Sequence, residues 1–377
     1  MIKIASKLFS FFANLVPTTN IILFHSFPDV ADNSYAMCRY LHNQGIDKKY
    51  LFVWLIDKYE EKDIRKSILT EDGIKPILVK RISLRGIWLF VRARYIIVTH
   101  GLFDAIHLKQ HTDKIINLWH GMPLKLLGAS EERGLPSSTN FNYVISTSKL
   151  YQKIMAEAFA TTKDRVLVTG QPRCDLLFEP TDWFDSVGII TSKYNRIGIW
   201  LPTYRKSIVG DIRVDGEYND NGVSFLEEAD MRRLDKFLFS ENILLLLKIH
   251  PMDALQNAPF DGFTNIILIR PQDFHSQLYP LLGACDFLLT DYSSVFIDYQ
   301  ILRKPIGFVM NDIESYKTSR GFYFDDIEKV LPGPILSDYD SLCGFIKSPF
   351  VITNEVDYNE YFDNKSSERI SDFLNLN

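Results

Sequence analysis

The strongest constraint in this sequence is a series of short, continuously apolar runs separated by stretches of helical period. Residues 21–24, 51–56, 76–79, 95–98, 115–118, 143–145 and 166–168 form such runs in the first half, and 197–201, 243–248, 266–269, 287–289 and 306–309 continue them in the second. A strand with one wet face alternates apolar and polar residues, whereas a run without alternation suits a parallel strand covered on both faces. Helices are predicted over 33–43, 60–69, 149–159, 225–239, 275–285 and 294–302, with an amphipathic one over 366–376. Strands and helices in alternation mean an α/β fold with right-handed crossovers. At roughly 150 residues per domain, the 377 residues suggest two domains. The junction is placed in 178–196, where strand-like runs thin out, which gives domains 1–180 and 181–377. The Asp-, Gly- and Asn-rich stretch 209–222 reads as a loop.

Charge and cysteine usage narrow the class. Forty-two Lys and Arg against 47 Asp and Glu leave a net charge of −5, which gives no support for nucleic-acid binding over the whole surface. Cys38, Cys174, Cys285 and Cys343 lie far apart without a CxxC pair, as suits a reducing compartment better than a disulfide framework or a zinc knuckle. The N-terminal stretch 1–17 holds Lys3, Lys7 and an apolar run over 8–16. That run falls short of the ~20 apolar residues needed to span a bilayer. It reads either as a first helix packed on its domain or as an amphipathic segment lying on a membrane surface. No G-x-G-x-x-G, Walker A, G-x-S-x-G or H-E-x-x-H motif is present, so dinucleotide, P-loop, serine-hydrolase and zinc chemistry lose support.

Polar clusters fall where the predicted strands end, the place where ligands bind in open α/β sheets. In Trp119-His120-Gly121-Met122-Pro123-Leu124-Lys125, His120 leaves a buried strand and Gly121 permits close approach to the backbone. His120 is a candidate general base or a hydrogen-bonded loop histidine. Arg173, in Gly170-Gln171-Pro172-Arg173-Cys174-Asp175, either reaches a phosphate or pairs with Asp175 in its own turn. Pro202-Thr203-Tyr204-Arg205 and Lys248-Ile249-His250-Pro251 follow two further strands, as binding groups or as solvated strand ends. Thr290-Asp291-Tyr292-Ser293-Ser294 reads as strand, tight turn and helix, with Ser293 or Ser294 as N-cap and free N–H groups suited to phosphate. Asp298 lies one turn further along and is expected to meet a hydroxyl or a cation.

Taken in order, these motifs resemble the CDP-glycerol and CDP-ribitol glycerophosphotransferase family of teichoic acid and related capsule synthesis. Asp32-Asn33, the 312–316 segment leading into Arg320-Gly321-Phe322-Tyr323, and Pro332-Gly333-Pro334 add to the likeness, which runs over about residues 20–335. Met122 stands where the family usually has Thr, and Leu126 where a second lysine is usual. The resemblance implies a GT-B type architecture, two Rossmann-like domains facing an interdomain cleft, the first on the acceptor side and the second binding the CDP-alditol. It implies His120 as catalytic base and His250 as a second catalytic histidine. It also implies that Trp119, Gly121, Met122, Pro123, Arg173, Pro202, Thr203, Arg205, Lys248, Ser293, Ser294 and Asp298 line the substrate site.

The implied reaction moves an alditol phosphate, glycerol phosphate ahead of ribitol phosphate, from a CDP-alditol to a hydroxyl of a lipid-linked glycopolymer and releases CMP. CMP needs little acid help to leave, since a phosphate monoester has a second pKa of about 6. The attacking hydroxyl is a weak acid, so a positioned base should matter most. No metal or cofactor is expected, and no nucleic acid. The expected location is the cytoplasmic face of the cell membrane, held peripherally. Two other readings stand: a nucleotide-sugar glycosyltransferase on the same fold, releasing a nucleoside diphosphate, and a non-catalytic nucleotide-binding scaffold of an envelope-synthesis complex.

Overall fold

The computed structural model describes residues 10–104, 106, 108, 115–130, 138, 140–203, 222–248, 262–270, 274, 277–311, 313, 322–324, 326–352 and 356–376. Among them the apolar runs become strands: β1 (Thr19–His25), β2 (Leu51–Ile56), β3 (Ile77–Lys80), β4 (Ala93–Val98), β5 (Ile115–Asn117), β6 (Tyr143–Ser146) and β7 (Val166–Val168). They make one all-parallel sheet in the order β3-β2-β1-β4-β5-β6-β7. Ile22, Leu23, Val53, Leu55, Ile96 and Ile97 are all but inaccessible, which is why no polar residue alternates with them. The sheet grows one way from β1 to β3 and the other way from β4 to β7, so a topological switch point lies between β1 and β4.

The chain then builds a second sheet by the same rule. β8 (Arg196–Leu201), β11 (Ile243–Lys248), β12 (Ile266–Ile269), β13 (Phe287–Thr290), β14 (Ile306–Val309) and β15 (Ile335–Leu336) pair in parallel in the order β12-β11-β8-β13-β14-β15. Its switch point falls between β8 and β13. A small antiparallel hairpin, β9 (Gly222–Val223) and β10 (Leu226–Glu227), leads into the helix Glu228–Glu241. That helix starts with a reciprocal capping box between Glu227 and Asp230 and ends on Asn242 in the left-handed region. The buried Asp235 on it accepts from the backbone N–H groups of Thr264, Asn265 and Ile266, tying helix to strand entry.

Two compact units result: 1–122 with 127–176 and 357–377, and 123–126 with 177–356. The boundary near Leu176 lies just ahead of the expected junction. The C-terminal helix departs from expectation, because Ser366–Leu374 belongs to the first unit and not to the second. The reason is local: the half-buried Asp175 carboxylate accepts from the Ser366 and Ser367 N–H groups (2.9 and 2.8 Å), satisfying free donors at the helix start. Thr147 donates to the Tyr358 carbonyl (2.6 Å) and Tyr95 to that of Leu374 (3.2 Å). The helix Leu84–Arg92, which the sequence pattern does not announce, runs directly into β4. Of the loop expected over 209–222, residues 209–221 lie outside the described residues and Gly222 opens β9.

Candidate active site

In the first unit, chemistry gathers where β1, β4 and β5 end, beside the switch point. Leaving β5, the chain keeps one more ladder bond, from Leu118 N to the Val98 carbonyl (2.7 Å), and then turns sharply. Trp119 takes φ +50° and Gly121 φ +140°, a region that favours glycine. Asn117 accepts from the Trp119 N–H (2.9 Å), and the buried Asn33 donates to the Trp119 carbonyl (2.9 Å). The turn that presents His120 is therefore fixed from both sides.

His120 is half-buried at the end of this turn. Its Nδ1 lies 3.4 Å from the Thr99 carbonyl. A carbonyl only accepts, so the neutral ring carries its proton on Nδ1 and keeps a lone pair on Nε2. Burial pushes its pKa below the ordinary value and the Arg173 guanidinium adds to this, while Asp32 and the Thr99 carbonyl oppose it. Its ring stacks on that of His100, with centroids 4.3 Å apart and planes 9° from parallel, and Trp119 lies 3.9 Å away on a tilted plane. Arg173 holds the backbone of the turn: its Nη1 donates to the His120 carbonyl (2.8 Å) and to both Asp32 oxygens (3.0 and 2.9 Å). Its own N–H donates to Asn33 Oδ1 (3.0 Å).

Below this cluster, His25, Asp29 and Asp57 bring ligand-type atoms within 4.8 Å of one another. Asp29 accepts from the N–H groups of Asp57 and Lys58, His25 Nδ1 lies 3.0 Å from the Leu55 carbonyl, and Arg81 pairs with Asp57. The guanidinium stands where a cation would compensate the carboxylates, so the group reads as an ion-pair network linking the ends of β1 and β2.

In the second unit the same logic repeats at β8 and β13. Asp291 is buried, and its carboxylate accepts from the Thr203 N–H (3.1 Å) and hydroxyl (2.9 Å). The Thr290 hydroxyl donates to the Leu201 carbonyl (2.9 Å). Ser293 and Ser294, half-buried, precede the short helix Val295–Tyr299; Ser294 is its N-cap without a side-chain bond, and Ser293 Oγ accepts from Val295 N at 3.4 Å. Lys248 closes β11 with its ammonium 5.3 Å from the Phe274 ring centroid, and burial draws its pKa down.

Comparison with known proteins places the chain. A family model for CDP-Glycerol:Poly(glycerophosphate) glycerophosphotransferase matches residues 8–376. The chain belongs to this family. Within the glycerophosphotransferase family, it is 28% identical over 371 residues to the teichoic acid poly(glycerol phosphate) polymerase of Bacillus subtilis, covering 92% of this chain and 46% of that protein. It is 26% identical over 362 residues to the teichoic acid glycerol-phosphate transferase of Staphylococcus aureus, covering 90% of this chain and 86% of that one. In fold it is similar to the wall teichoic acid polymerase TagF, with a TM-score of 0.74 at 22% identity over 99% of this chain and 92% of that one. A UDP-N-acetylglucosamine 2-epimerase is a more distant neighbour, with a TM-score of 0.53 at 15% identity over 95% of this chain and 96% of that one. The fold class is the expected one, α/β with two Rossmann-like units of GT-B type. The reaction class of the family is transfer.

Within this glycerophosphotransferase, the structure sorts the expected site residues. Trp119, His120, Gly121, Met122 and Arg173 come together in the first unit, with Met122 fully buried. Pro123 falls in the second unit with Pro202, Thr203, Lys248, Ser293, Ser294 and Asp298. His250 and Arg205 lie outside the described residues. The turn ion pair between Arg173 and Asp175 does not form: Arg173 is engaged by Asp32, and Asp175 serves the C-terminal helix. Asp298, fully buried, accepts from the Tyr279 hydroxyl (2.6 Å). The pattern of residues did not disclose what Asp32, Asn33, His100 and Asp291 do. His100 carried a signal, since Val98-Thr99-His100-Gly101 repeats the strand-end His-Gly of 120–121.

Proposed function

We propose that the protein transfers an alditol phosphate, glycerol phosphate in the first place, from a CDP-alditol to a hydroxyl of a lipid-linked glycopolymer in teichoic acid or capsule synthesis. The observation that carries this reading is the state of His120: a half-buried imidazole whose pKa burial draws down, with Nδ1 turned to the Thr99 carbonyl and, among the described residues, no partner on Nε2. In the reaction the acceptor hydroxyl gives its proton to Nε2 and its oxygen bonds to the alditol-bearing phosphorus. The bond from that phosphorus to the bridging oxygen breaks, and CMP leaves with the electron pair. A base so placed contributes roughly 10²- to 10⁴-fold. The second unit supports donor binding through Thr203, Lys248, Ser293 and Ser294, and His250 acts with Arg205 on the same substrate. Family membership supports the donor class, since the family is defined by CDP-glycerol as donor.

We also place the protein peripherally on the cytoplasmic membrane face. Among the described residues no helix is long and apolar enough to cross a membrane. The first unit nevertheless exposes Phe11, Phe12 and Leu15 beside the N-terminus, and Ile82, Leu84 (90% accessible) and Trp88 around the helix Leu84–Arg92. Ala13, Phe90 and Val91 share one core cluster, so both apolar ridges rise from the same side of the sheet. Arg85 and Arg92 lie on the same helix, with the Arg92 guanidinium over the Trp88 ring, as suits an interface with anionic lipid.

CMP release from CDP-glycerol and CDP-ribitol, with a lipid-linked acceptor and His120→Ala as control, tests the reaction. Acceptor-dependent release lost in the variant is the expected result. Silence with both donors, together with nucleoside diphosphate release from a nucleotide sugar, would replace the reading by glycosyl transfer.

A further inference from the structure

The histidine pair holds more than the base. His100 follows β4 as His120 follows β5, and neighbouring parallel strands bring the two rings face to face, 4.3 Å apart and 9° from parallel. Among the described residues His120 has one ring hydrogen bond to hold it, to Thr99 at 3.4 Å, which is too long to fix an imidazole plane firmly. A side-chain torsion onto a flat ring is broad and two-fold, so the ring needs a second restraint if Nε2 is to point one way. His100 is well placed to give it. Its own Nδ1 is tied to the Thr99 hydroxyl (2.9 Å), and Phe27 meets its ring edge-to-face at 5.8 Å.

We propose that His100 is a positioning residue for the base, its ring face fixing the plane of the His120 imidazole so that Nε2 meets the acceptor hydroxyl. This rests on His120 being the base. His100 suits the task because it stays uncharged: burial first, then His120 and His25, draw its pKa down to about 3. When His120 takes the acceptor's proton, the imidazolium lies over a neutral π face and not beside a second cation. The charged and titratable groups facing the pair among the described residues are Asp32 and Arg173 toward His120, and His25 toward His100.

The test compares His100→Ala, His100→Phe and His120→Ala in acceptor-dependent CMP release across pH 5 to 9. His100→Leu accompanies them, filling the volume without an aromatic face. His100→Ala and His100→Leu should lower kcat on the order of 10- to 100-fold with the donor KM little changed, the size of loss a misplaced catalytic group produces. His100→Phe, which keeps the face and loses the ring nitrogens, should recover most of that loss. In His100→Ala water reaches His120, so the acid limb of its profile should also move up toward pH ~6.5, the ordinary histidine value; in His100→Phe it should stay in place. The proposal is overturned if His100→Leu matches the wild type in rate, or if His100→Phe is as slow as His100→Ala. Wild-type turnover in His120→Ala would remove the base itself, a failure distinct from either of these.

Discussion

Neutral histidines withdrawn from water, one buried and two half-buried, leave a signature at the scale of single residues. Burial lowers the pKa of His25, His100 and His120. The unfolded chain therefore binds more protons than the folded one below pH ~6.5, and stability should be complete above that value and decline as pH falls through it. Urea midpoints compared at pH 7.5 and 5.0 should show the decline, with a smaller one in His100→Phe. A flat profile would mean that these rings are not excluded from protons. Asn33 offers a second test. It donates to the carbonyls of Trp119 and Leu118 and accepts from Arg173 N–H, all in the interior. Asn33→Ala strands these groups and should cost about 1–3 kcal/mol in urea unfolding, the range for unsatisfied buried partners. It should also slow CMP release, because the turn presenting His120 loses its clamp.

At the scale of elements, much was legible and the exceptions have causes. The strands were plain because burial on both faces leaves no polar residue to confuse the run. The helix Leu84–Arg92 was hidden because its apolar face continues without a break into β4, and because Gly86 lowers helical preference. Gly86 is there for space: a Cβ at that position would stand 2.5 Å from the Arg81 carbonyl oxygen. Gly86→Val should therefore displace the helix start and lower the thermal midpoint by several degrees, read by circular dichroism. β15, β9 and β10 have two residues each, too few for any period to register. Strand-end residues such as His120 and Arg173 were readable as candidates because sheet topology says where ligands go. Their partners were not, since Arg173 and Asp32 stand 141 residues apart and meet only through tertiary structure. Asp175→Ala, which removes the acceptor for the Ser366 and Ser367 N–H groups, should cost about 0.5–2 kcal/mol, as loss of a cap does.

At the scale of the whole molecule, two units with one strand-order rule each carry polar groups at their own switch points. The first unit also carries the two exposed apolar ridges, so the proposed membrane contact can be tested there. Leu84→Asp with Trp88→Asp should release the protein from anionic liposomes in sedimentation while leaving CMP release from a detergent-soluble acceptor intact. Continued sedimentation would move the attachment elsewhere. The route of the chain carries a consequence for biosynthesis. The first unit takes residues 1–122 and 127–176 and then, only after the second unit, 357–377. While the ribosome is still translating the second unit, the first has its sheet but lacks Tyr358, Ile370 and Leu374, all buried in the finished fold. The nascent first unit must therefore carry an uncovered apolar flank until the helix Ser366–Leu374 emerges, a natural docking point for chaperones, and its closure has to wait for the whole second unit to be made.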